Sequence, residues 1–149
     1  MKTTLGTLFI TASIFFGSMV NAQVTCDSVA GIASGYLSEG LEGSVFISDG
    51  QVYRAFLEDD QSAEFTTTFF GGSTYRIAVS AGKRKDFVIF DIRDENDMLL
   101  FTNEDQGNAP YWDFKVKSTM ECTIQTRLDP DKKASGCAIL LIGFEKKMN

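Results

Sequence analysis

"FVIFDIRDENDMLLFT", residues 87–102, sets two short apolar runs on either side of "RDEND". Each run is too short for a stable helix, and Asp and Asn favour turns because their side chains bond the nearby backbone. The stretch therefore reads as a β-hairpin with an acidic tip. The same grammar recurs from Ser44 onward, in "SVFIS", "VYRAFL", "AEFTTTFF", "TYRIAVS", "YWDFKVK", "CTIQTRL" and "CAILLIGF", separated by Gly, Asp and Asn clusters. No helical period interrupts the series, so parallel pairing with crossover helices is excluded. The expected fold is all-β, an antiparallel β-sandwich of jelly-roll-like character with eight or nine strands, preceded by a short helix.

Alternation predicts which side chains face inward. "YWDFKVK" places Trp112, Phe114 and Val116 on the core side and Asp113, Lys115 and Lys117 outside. A three-residue turn at Gly71-Gly72-Ser73 would pair Phe65 with Val79, Thr67 with Ile77 and Phe69 with Tyr75, provided both runs share one sheet. Phe69 and Phe70 are adjacent and cannot both face inward on one strand, so one of them belongs on the surface or under a loop, a hint of a contact patch.

At the N-terminus, Lys2, the apolar stretch "LFITASIFFGSMV" and the small residue closing "VNA" have the form of a secretory signal peptide over residues 1–22. The polar interruptions make the run short for a membrane span. Residues 23–43 form an N-terminal helical segment: Val29, Ile32, Ala33, Tyr36 and Leu37 make one apolar stripe, with Asp27 as expected N-cap and Gly40 as expected stop. Residues 44–149 are the sandwich domain, and the destination is secreted or periplasmic, with no membrane insertion once the signal is removed.

The chain has no histidine, 14 basic and 20 acidic residues, and a formal net charge of −6. Nucleic acid is thereby a poor partner. Histidine-dependent triads, general bases and most zinc or copper sites are excluded as well. No cofactor is expected. Within the acidic stretch, Asp94, Asn96, Asp97 and Asp105 are the candidate binding residues, and Asp94, Asp97 and Asp105 the minority candidate for calcium. An EF-hand frame fails: counted from Asp91 the sixth and twelfth positions are Asn96 and Thr102, and from Asp94 they are Leu99 and Asp105. A hydrolase would need a buried carboxylate of raised pKa, and Asp91, inside an apolar run, is expected to pair with Arg93 instead. No catalytic residue is assigned. "GKRKD", residues 82–86, reads as a solvated turn. Three cysteines in an oxidising compartment imply one disulfide and one thiol. Alternation puts Cys122 in phase with Ile124 and Cys137 with Ile139, which favours Cys122–Cys137, although Cys26 could reach either.

"GGSTYRIAVSAG", "DFVIFDIRDENDMLLFTNED" and "YWDFKVKSTMECTIQTRL" resemble, in their order, the elements of the bacterial pre-peptidase C-terminal domain over about residues 60–145. The chain is also similar to small secreted proteins of Bacteroidetes-type bacteria. The first resemblance implies a jelly-roll-like sandwich acting as an accessory module. The expected function is a secreted, non-enzymatic binding or accessory module for an extracellular glycan or protein, with a calcium-stabilised adhesion domain and a carboxylate-based hydrolase as rivals.

Overall fold

The computed structural model describes residues 20–40 and 42–148, with side chains from residue 26 onward. The signal-peptide expectation falls almost wholly outside these residues. Helix α1 spans Val20–Ser38, and nine strands follow: β1 Ser44–Ser48, β2 Tyr53–Glu58, β3 Ser62–Phe69, β4 Thr74–Ser80, β5 Val88–Asp94, β6 Leu99–Thr102, β7 Tyr111–Lys115, β8 Met120–Leu128 and β9 Ser135–Lys147. Each strand coincides with one of the alternating runs. Among the described residues no helix is long and apolar enough to cross a membrane.

The strands form two antiparallel sheets. One runs β1-β9-β4-β7 with β2 also on β9, and the other runs β3-β8-β5-β6. Long β9 carries β4 along one side and both β2 and β1 in succession along the other. Between the sheets lies the main core, including Ile77, Val79, Phe90, Ile124 and Leu140, all buried.

A second apolar layer makes the fold asymmetric. Val29, Ala33 and Leu37 of α1 pack on Ala78, Cys137, Ile139 and Leu141, the outer face of the five-stranded sheet. The expected stripe is this face of the helix, with Ile32 and Tyr36 half-buried beside it. Gly143 continues the helix-facing row of β9, and a Cβ there would meet Leu37 Cδ1 at 2.8 Å. Glycine is thus what lets Leu37 seat on the sheet.

Arg76 sits in this layer at 1% exposure. Its guanidinium forks onto Asp113, with Nε to Oδ1 at 2.6 Å and Nη2 to Oδ2 at 2.8 Å. Nη1 donates to the carbonyls of Tyr36, Leu37 and Glu39 at the end of α1. Phe46 and Tyr111 rings lie 4.2 and 4.3 Å from its Cζ. A cation is the complement that the unsatisfied carbonyls of a helix C-terminus favour.

Three expectations are corrected. The disulfide joins Cys26 to Cys137, Cα atoms 5.5 Å apart, and Cys122 is the buried free thiol. Cys122 points between the sheets while Cys137 points outward at the helix, so the favoured Cys122–Cys137 pair would have to pass through a sheet. The chain from Phe69 to Thr74 crosses between sheets: β3 pairs with β8, and β4 with β7 and β9, so Phe65, Thr67 and Phe69 lie opposite Ile124, Cys122 and Met120. Phe69 and Tyr75 still meet, edge to face across the core at 4.9 Å. Asp27 is no N-cap, because α1 begins at Val20; its carboxylate pairs with Arg54 at 2.7 Å.

Candidate functional site

The acidic stretch is built as a hairpin tip. Asp94 Oδ1 accepts the backbone N–H of Asn96 and of Met98, each at 2.9 Å, closing the turn. Asp97 takes positive φ, 61°, and its exposed carboxylate lies 3.7 Å from Arg93. Asp105 sits in a single 3-10 turn, Glu104–Gln106, beyond the far end of β6. β6 is four residues long, so its ends lie about 10 Å apart at about 3.4 Å per residue, and Asp105 stands apart from Asp94, Asn96 and Asp97. Among the described residues no group of three or more acidic or cysteine side chains is placed to hold a metal ion.

Two Asn residues of the same stretch have structural work. Asn103, fully buried, accepts from Phe90 N–H at 2.8 Å and donates to the carbonyls of Val88 and Ala109, both at 3.0 Å. Asn108, at φ 56°, donates to Asp86 O and to Asp129 Oδ2. The "GKRKD" turn closes locally, Arg84 pairing with Asp86 at 3.1 Å.

Asp91, 8% exposed, pairs with Arg127 at 3.1 Å and not with Arg93 as expected. Arg127 also holds Glu104 at 2.7 Å. The two carboxylates thus share one guanidinium.

The geometry that could recognise a partner lies where β9 outruns the opposite sheet. Ile142 is the last core residue of its inward row, and Phe144, next in that row, is 40% exposed. Ile47 of β1 lies directly opposite Phe144, and Val45 is two residues along on the same face. Phe70, just past β3, is 62% exposed while Phe69 is buried, the split anticipated from their adjacency. Phe70 and Phe144 line one cleft of about 450 Å³ together with Thr67, Tyr75, Ile142 and Asp49. The Asp49 carboxyl is raised above its ordinary value by loss of solvent, against the opposing bond from Gln51 N–H. The Tyr53 phenol is pushed up as well, first by burial and then by the charge of Asp49. No cation pairs with Asp49 among the described residues. An apolar cleft with an uncompensated carboxylate is the result.

No model of a known protein family matches the chain. No curated protein matches it either. Among solved structures its backbone is similar to that of Aeromonas hydrophila PliG, a periplasmic lysozyme inhibitor of g-type lysozyme, with a TM-score of 0.48 and 10% identity over 71% of this chain and 91% of that one.

Proposed function

We propose that the protein is a secreted, non-enzymatic binding module whose ligand is an extracellular protein, docked at the cleft between Phe70 and Phe144. The observation that supports this reading is that cleft: exposed aromatic and aliphatic side chains contiguous over two strands, beside a carboxylate with no cation of its own. Exposed aromatics contribute large contact areas at low entropic cost, which is why they recur as anchors in protein interfaces. Asp49 calls for a Lys or Arg next to an apolar side chain on the partner, and a basic partner also suits the chain's net charge of −6. A glycan is the alternative ligand, with aromatic stacking in place of apolar burial. A pre-peptidase-like accessory role is compatible with either.

The test is capture from an extracellular or periplasmic fraction, compared between the native protein, Phe70→Ser with Phe144→Ser, and Asp49→Asn. A protein partner retained by the native chain, lost from the double variant and weakened in Asp49→Asn supports the proposal. Binding to a glycan array with no dependence on Phe70 and Phe144 refutes it, as does a partner held equally by all three.

A further inference from the structure

Another open flank of the sandwich contains an apolar slot. β6 is the edge of one sheet and β7 the edge of the other, and across the gap between them only the stacked rings of Phe101 and Trp112 meet as an aromatic pair among the described residues. The slot measures about 380 Å³, within the size range of small-ligand sites, about 300 to 1,000 Å³. Its floor is Phe69, Ile92, Val116 and the thiol of Cys122, all buried, and Phe101 and Phe114 form its walls. Leu100 at 46% and Met120 at 39% exposure stand at the mouth. Lys115, Lys117 and Ser118 complete the rim.

The rim carries charge of its own. Neither Lys115 nor Lys117 has an ion-pair or hydrogen-bond partner among the described residues, a freedom they share with other surface lysines such as Lys83 and Lys146, and of the described lysines these two line the slot. Two unneutralised ammonium groups on flexible stems therefore border an apolar slot in an otherwise acidic protein. We infer that the slot binds a free amphiphile, an alkyl chain bearing one anionic head, with the chain between the sheets and the head at Lys115 and Lys117. Burial of the tail supplies affinity and the two lysines select the head. This site shares Phe69 with the cleft at Phe70 and Phe144, but neither reading requires the other.

The protein carries its own reporter. Its single tryptophan, Trp112, stacks on Phe101 of the slot wall, ring centroids 5.3 Å apart. The oxidised protein is titrated with sodium dodecanoate below its micellar range, followed by Trp112 fluorescence and calorimetry. A saturable one-to-one isotherm is expected. Lys115→Glu with Lys117→Glu should weaken dodecanoate at least tenfold and leave 1-dodecanol within twofold. Leu100→Phe with Met120→Phe changes only exposed positions and should weaken both at least tenfold. Absence of saturable binding overturns the inference, as does full affinity in the mouth variant or an equal response of dodecanol and dodecanoate to charge reversal. Binding to vesicles of anionic phospholipid without uptake of free dodecanoate also overturns it, because the occupant would then be a membrane surface.

Discussion

Arg76→Met tests whether one guanidinium fastens the helix to the sheet. The substitution keeps much of the apolar stem and removes the fork onto Asp113, three donations to helix-end carbonyls and two ring contacts. Removing one partner of a buried ion pair costs about 3 to 5 kcal/mol, mostly because the other charge is left unpaired. Asp113 retains 28% side-chain exposure, so water moderates its share; the orphaned carbonyls act the other way, each charged hydrogen bond contributing about 1.5 to 3 kcal/mol. These terms overlap, and a loss of about 3 to 5 kcal/mol is the expected net. For a domain of this size roughly 3 to 4 °C follows each kcal/mol, so the melting temperature should fall by roughly 9 to 20 °C by calorimetry. Arg76→Lys keeps the charge without the planar fork and should fall between the two. Asp113→Asn leaves the helix carbonyls engaged and should cost less than Arg76→Met. A melting temperature for Arg76→Met within about 3 °C of the native protein would mean that apolar packing alone docks the helix, and the reasoning would fail.

Gly143→Ala forces a methyl against Leu37 and should destabilise by about 1 to 3 kcal/mol as an overpacked core does, measured by urea denaturation; partial relief on combining it with Leu37→Ala would identify the clash. Asp129 and Asp86 titrate below their ordinary values, held down by hydrogen bonds from Lys132 with Asn108 on Asp129 and Arg84 on Asp86. Their contribution to stability is present above the unfolded carboxylate value of about 3.9 and is lost as pH falls through the lowered folded values, so acid melting profiles should flatten below about pH 4 in Lys132→Met. Millimolar calcium should leave the melting temperature unchanged, whereas a site filled at 100 times its dissociation constant would add about 2.7 kcal/mol; a calcium-dependent rise abolished by Asp94→Asn with Asp97→Asn would overturn the hairpin-tip reading.

Strand positions were legible because a period of two is a local property, and runs such as "TYRIAVS" carry it in seven residues. Partner choice was not, since the Gly71-Gly72-Ser73 stretch suits a hairpin as well as a crossing between sheets. What decides is remote: a Cβ on Gly71 would meet Lys117 O and Thr119 N at 2.9 Å, so this turn is packed on the segment leading into β8. Alternation likewise gave the faces of Cys122 and Cys137 without saying that one outer face is roofed by a helix. That roof also turned Arg76, readable as a solvent-facing residue in an apolar strand, into one of the most buried side chains. Of the candidate contact surface, Phe70 was signalled by its neighbour Phe69, while Phe144 was hidden because nothing local marks where β9 outruns the opposing sheet.

The disulfide has a consequence for the order in which the chain can be locked. It joins residues 111 positions apart, one on the N-terminal helix and one on the final strand. In a chain made from N- to C-terminus Cys26 emerges first and Cys122 precedes Cys137, so the first thiol that can meet Cys26 is the wrong one. That mispair would drag an interior residue of β8 to the outside of the opposite sheet, which the folded sandwich forbids. Once β8 is seated between β3 and β5, Cys122 is withdrawn from competition, and Cys26 is left for the strand that completes the five-stranded sheet. The Cys26–Cys137 bond is thus compatible with the finished sandwich only where the last strand lies in the five-stranded sheet and Cys122 is turned to the interior.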